Sequence, residues 1–204
     1  MIFKSLFPLF IILGVAISIF TQNPLIALVL FIGTISWGSE YVFNTGISYH
    51  TSVAILDSTH FVVAYDDVGN SSYGTAIIGT VSGTAITYGS EYVFNAGSSS
   101  YTSVATLDST HFVVAYEDVG NSNYGTAIIG TVSGTAITYG SEYVFNAGTS
   151  WNISVAILDS THFVVAYRDV GNSSYGTAII GTVSGTVITY GSEYIFRTIS
   201  YDSS

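Results

Sequence analysis

At 204 residues, 49% hydrophobic and only 8% charged, the chain is too apolar for a disordered tail. Three basic residues against 13 acidic ones, a net charge of -10, provide neither a phosphate-neutralising surface nor a cationic patch for anionic lipid, which argues against a nucleic-acid partner. With no cysteine in the chain, disulfides, thiolate zinc sites and cysteine nucleophiles are excluded.

Met1 to Phe20 is an apolar run whose only charge is Lys4, and after Thr21-Gln22-Asn23-Pro24 a second run, LIALVLFI, continues to Ile32. A helical membrane span needs about 20 apolar residues, so the first run is marginal and the second too short alone. Residues 1–32 therefore read as a hydrophobic membrane anchor or signal segment. Three forms stay open: a signal peptide cut near Ala16 to Ser18, one helix kinked at Pro24, or a helical hairpin turning at Asn23-Pro24. An uncleaved segment is favoured, because cleavage would leave LIALVLFI exposed; a buried strand is the competing reading of that run. With Lys4 on the cytoplasmic side, a single span places the remainder outside the cell and a hairpin returns it to the cytoplasm. The expected location is the membrane, the cell surface or the extracellular space.

From residue 33 the chain changes character. GSEYVFN starts at Gly38, Gly89 and Gly140 and returns as GSEYIFR at Gly191, a period of 51 residues without insertion. Units span 38–88, 89–139 and 140–190, with a partial unit over 191–204, and residues 33–204 read as one repeat domain. The second unit differs from the first only at Thr45/Ala96, Ile47/Ser98, Tyr49/Ser100, His50/Tyr101, Ile55/Thr106, Asp66/Glu117 and Ser72/Asn123. Copies so little diverged also share neutral residues, so recurrence alone does not mark a site.

Each unit carries four runs rich in β-branched and aromatic residues: SVAILD (52–57), HFVVAY (60–65), YGTAIIGTV (73–81) and AITYGSEYVF (85–94). They are separated by Ser58-Thr59, Asp66 to Ser72 and Ser82-Gly83-Thr84, which are turn chemistry. Four short strands, apolar on both faces, predict an all-β chain of tandem four-stranded antiparallel blades, propeller-like, with three blades. GTISWGSEYVFN from Gly33 matches GTAITYGSEYVFN from Gly83, which adds one extra strand at the start.

The segment Ser82-Gly83-Thr84-Ala85-Ile86-Thr87-Tyr88-Gly89, repeated from Ser133 and Ser184, resembles a degenerate Asp-box hairpin, S-x-D-x-G-x-T-W, of sialidase-like propellers, with the aspartate missing. The resemblance spans residues 38 to 196 at the level of blade pattern and implies that fold. It does not carry over sialidase activity: that family clamps the substrate carboxylate with three arginines, and this chain has only Arg168 and Arg197. Three blades do not readily close a ring, so the chain is expected to pair with a second copy, to belong to a longer array or to form an open stack. An open stack would leave segments such as YGTAIIGTV near an unpaired edge, and self-association is expected.

Differences between units concentrate where the fourth strand leads into the next unit's first strand and where the second turns into the third. Those two links share one face of a blade. Tyr49, His50, Tyr101, Trp151 and Asn152 fall on the first link and Asp66, Glu117 and Arg168 on the second. Exposed aromatics among small hydroxyl residues suit a glycan ring or a protein epitope, so these eight are the candidate ligand-binding residues; free drift of surface loops is the competing explanation.

Other motifs weigh less. Asp66-Asp67-Val68-Gly69-Asn70-Ser71 offers hard oxygens in a turn, but lacks the dense acidic pattern of a calcium loop, and the third unit places Arg168 there. Asp57-Ser58-Thr59-His60 holds the residue types of a hydrolase triad but as four consecutive residues of one turn, so Asp57 and Ser58 are expected to bond their own backbone and His60 to open a strand. An inward ring of His60, His111 and His162 would be a further metal candidate, and the sequons at Asn70, Asn152 and Asn172 matter only in a secretory pathway. No catalytic set, metal or cofactor is read from the sequence. The expected function is non-catalytic binding, adhesion or structure; the alternatives are a degenerate glycosidase-like propeller enzyme and a partial repeat-gene product.

Overall fold

The computed structural model of the protein describes residues 38–197. The apolar run of residues 1–32, with its membrane and signal readings, lies outside the described residues, and among those described no helix is long and apolar enough to cross a membrane.

These residues are all-β. The strands are β1 (Ser48–Ile55), β2 (His60–Asp67), β3 (Tyr73–Ser82), β4 (Ala85–Thr106), β5 (His111–Asp118), β6 (Tyr124–Ser133) and β7 (Ala136–Tyr139), then β8 (Tyr143–Asp159), β9 (His162–Asp169), β10 (Tyr175–Ser184), β11 (Val187–Tyr190) and β12 (Tyr194–Arg197). Pairing is antiparallel throughout, and the path β1-β2-β3-β4-β5-β6-β8-β9-β10-β11, with β7 on β6 and β12 on β10, does not close on itself. Gly83-Thr84 forms the two-residue hairpin between β3 and β4, and Gly83 takes the positive φ of 63° that such a turn requires.

The expected four strands per unit form, with one correction. The fourth strand of one unit and the first of the next are a single strand at the first boundary: β4 pairs with β3 from Ala85 to Ser98 and with β5 from Ser99 to Thr106. β8 does the same between β6 and β9. A second correction concerns edges. YGTAIIGTV, expected near an unpaired edge, supplies β3, β6 and β10, each of which is paired on both sides. A third concerns the extra strand: Gly38 to Asn44 are not in a strand, whereas the same motif is strand in β4. In β4 that motif pairs with β3; residues 33–37 of the expected extra strand lie outside the described residues.

Successive units pack face to face. One apolar cluster joins the first and second units through Val62, Ala64 and Ile78 against Val104, Phe112 and Val114; another joins the second and third. Aromatic clusters recur at near-identical spacing: Phe43–Tyr65, Phe94–Tyr116 and Phe145–Tyr167 ring centroids lie 5.0, 5.0 and 5.1 Å apart. The GSEYVFN motif builds these joints. In the second unit Glu91 accepts from the Tyr65 hydroxyl at 2.6 Å, the Tyr92 carbonyl accepts from the Tyr139 hydroxyl at 3.3 Å, and Phe94 lies over the bare backbone of Gly74.

Candidate binding face

The face begins as a backbone irregularity. Tyr49 pairs with Asp66 and Ser52 with Ala64, so β1 carries one residue more than β2 over this stretch and bulges. The same bulge falls between Ser100 and Ser103 and between Trp151 and Ser154. At each, one residue turns left-handed: His50 at φ 45°, Tyr101 at 51° and Asn152 at 52°. Asparagine and histidine are enriched in this region; for tyrosine it costs about 1 kcal/mol or more.

The bulges and the register bring most of the sequence-derived candidates together. The His50 and Tyr101 rings lie 4.9 Å apart, Tyr101 and Trp151 6.4 Å, and the Arg168 guanidinium sits 5.1 Å above the Trp151 ring. Tyr49 packs edge-on to His50 at 6.5 Å and is 58% exposed. Asn152 is exposed at the third bulge. Tyr101 and Trp151, expected to be exposed, are half-buried, because Tyr101 sits between His50 and Trp151, and Trp151 lies between Tyr101 and Arg168.

Asp66 and Glu117 are not loop residues. They stand near the ends of β2 and β5 and are buried. Asp66 Oδ2 faces His50 Nδ1 at 2.5 Å and its Oδ1 accepts from the Thr102 hydroxyl at 2.5 Å. Burial pushes the Asp66 carboxyl up, against the pull of Thr102 and His50. Burial also raises Glu117 to about 7; the Trp151 side chain and the His50 charge draw it down, and the Asp66 charge raises it further. The arrangement is an aromatic row ending in one cation, laid over two buried carboxylates that fix its orientation. Thr102, inside the second bulge, carried no signal in the sequence, because its role depends on a residue 36 positions away in the preceding unit.

The adjoining turns are closed from within. Asp118 Oδ1 accepts from Asn95 Nδ2 at 3.1 Å and from the Asn121 backbone N–H at 3.1 Å, and Asp169 repeats the arrangement with Asn146 and Asn172. These donors occupy one oxygen, Oδ1, of each turn aspartate.

At the opposite ends of the strands, Asp57 Oδ1 accepts from the backbone N–H groups of Thr59 and His60 at 2.7 and 2.8 Å, and Oδ2 faces His60 Nδ1 at 2.9 Å. The Thr59 and His60 hydrogen bonds hold Asp57 down at about 2, and Asp159 likewise. His60 is the first residue of β2, and the Asp-Ser-Thr-His segment is a self-bonded turn repeated at Asp108 and Asp159. Each histidine pairs with its own aspartate, and among the described residues no three His, Asp or Glu side chains converge as a metal site. Shallow clefts of about 150 and 230 Å³ lie between neighbouring turns, beside His111 and His60.

No family model matches the chain, and comparison with curated proteins finds no matching relative.

Proposed function

We propose that the protein is a non-catalytic repeat scaffold of propeller-blade type, anchored in a membrane or exported by its N-terminal apolar segment, that captures a glycan on the face carrying the three bulges. The observation that carries this reading is the row His50, Tyr101, Trp151 and Arg168, assembled from three units, with His50 and Tyr101 at left-handed bulge positions. Strain kept at a bulge that re-aims a side chain is characteristic of binding surfaces. It also lies where the otherwise near-identical units differ. Flat aromatic faces match the C–H patches of a sugar ring, and the half-buried Ser98 and Ser100 carry hydroxyl groups in the same segment. The blade reading is supported by four-stranded antiparallel units, their face-to-face packing and the glycine hairpin after β3.

Binding is favoured over turnover because both Asp66 oxygens have side-chain partners and Asp57 closes its own turn. A panel of immobilised glycans and proteins tests the reading with the full chain in mild detergent. Saturable capture on a glycan, lost in folded Trp151→Ala and Tyr101→Ala variants, is expected. No capture, capture by a protein alone, or capture indifferent to both substitutions overturns it.

A further inference from the structure

The internal joints state what the two end faces of the repeat fit. Each unit turns an outgoing face toward the next: Leu56, Val62 and Ala64 of the first unit pack on Val104, Phe112 and Val114 of the second. The third unit presents the equivalent outgoing residues, Leu158, Val164 and Ala166, to no described partner. Leu158 is 58% exposed where Leu56 is 7%. HFVVAY is buried on both faces in β5 apart from its first residue, yet in β9, from the same six residues, burial alternates, with Phe163, Val165 and Tyr167 buried and His162, Val164 and Ala166 only half-buried. At the opposite end, Val53 of β1 is 61% exposed, whereas its equivalents Val104 and Val155 are 6% and 8%.

We propose that the outgoing face of the third unit docks the incoming face of the first unit in a second copy of the chain. The two surfaces are those that already fit each other twice within one molecule. The backbone N–H of Val104 donates to Ser52 Oγ at 3.1 Å and that of Val155 to Ser103 Oγ at 3.1 Å; the third such pair is Ser154 of one copy with Val53 of the next. The joint is heterologous, so it builds a ring where the rotation closes and a filament where it does not.

One element stands in the way. Phe43 packs on Tyr65 at 5.0 Å as Phe94 packs on Tyr116, so residues 41–44 occupy the place that β12 of the second copy would fill. That segment is not in a strand; its holds on the first unit include the Asn44 side chain on Asp67, and Val68 N–H donating to the Ile47 carbonyl just beyond it. β12 is already paired with β10, and its Phe196, 67% exposed, lies over Gly176 as Phe94 lies over Gly74. The segment is thus a cap, and docking replaces Phe43 with Phe196 of the neighbour.

Because the chain has no cysteine, the test can be site-specific. Full-length Val53→Cys and Ser154→Cys variants are purified in mild detergent, mixed and treated with a short bismaleimide. A cross-linked dimer is expected in the mixture and not with either variant alone. Adding Phe43→Ala to the Val53→Cys chain loosens the cap and raises the yield several-fold, whereas adding Leu158→Asp to the Ser154→Cys chain abolishes it. Val164→Lys is the second outgoing-face variant, used if circular dichroism shows that the Leu158→Asp chain is unfolded. No dimer in the mixture, equal yields from the single variants, or a yield unmoved by the outgoing-face substitution overturns the proposal.

Discussion

The Tyr116 hydroxyl donates a 2.6 Å hydrogen bond to the Glu142 carboxylate, and Tyr65–Glu91 and Tyr167–Glu193 repeat it at the same length and the same separation of 26 residues. Each bond ties the second strand of a unit to the glutamate of the following GSEYVFN or GSEYIFR motif. Burial raises the Tyr116 phenol above its ordinary range, and the Glu142 hydrogen bond and charge raise it further. Tyr116→Phe keeps the ring and removes the donor, so a loss of about 1.5–3 kcal/mol is expected, the scale of a hydrogen bond to a charged group. Denaturant unfolding measures it as a lower midpoint at unchanged slope; an unchanged midpoint would show that solvation of the freed carboxylate offsets the bond.

Stability should peak on the acid side of neutrality. Glu117 is raised from 4.5 to about 7, so between those values the folded chain holds a proton that the unfolded chain releases, and stability falls as pH rises through that window. Asp66 is raised by burial and acts in the same direction. Asp57 and Asp159 are held near 2 by their turn hydrogen bonds, so their contribution is present above 3.8 and is lost as pH falls toward 2. The two windows meet at a maximum at about pH 4. Glu117→Gln removes the larger penalty. Stability at pH 7.5 should rise by about 1–3 kcal/mol, since each tenfold change in proton affinity is worth about 1.4 kcal/mol, and the slope between pH 5 and 7 should flatten. Thermal melts across that range measure both, and a parent curve that is flat from pH 4.5 to 7 would contradict the burial of this carboxylate.

Gly125 has no room for a side chain. A Cβ there would run into the Phe145 ring and Ser150 Oγ, and Gly74 stands in the same relation to Phe94 and Ser99. Gly125→Ala is therefore expected to cost about 1–3 kcal/mol by overpacking. Phe145→Leu alone should also destabilise the chain, but in the double variant the smaller side chain makes space for the methyl group. The two effects should then sum to less than their separate values, by at least about 0.5 kcal/mol in a double-mutant cycle. Strict additivity would mean that the ring and the glycine do not share one space.

The period, the strand-rich units and the clustering of the variable residues were legible in the sequence, because they depend on composition and spacing within about 51 residues. What depended on a neighbouring strand was not. GSEYVF is strand at Gly89 to Phe94 against β3 and not at Gly38 to Phe43, although the residues are the same. HFVVAY likewise has one burial pattern between two units and another at the end of the row. Asp66 and Glu117 read as loop acids since they precede a turn, but the register carries them into the ends of β2 and β5, under the aromatic row.

Tyr101 distinguishes a surface shaped for binding from one that has drifted. Its φ of 51° is strained for tyrosine, and the equivalent position in the third unit carries asparagine at 52°. Tyr101→Asn relieves the backbone while giving up contact with the His50 and Trp151 rings, so the net change in stability is expected within about 1 kcal/mol of zero. Ligand capture should nonetheless fall at least tenfold, because the middle of the row is gone. Calorimetric melting and a binding titration on the same sample give both values. A variant that melts several degrees higher and captures ligand as well as the parent would show that the tyrosine is retained neither for packing nor for recognition.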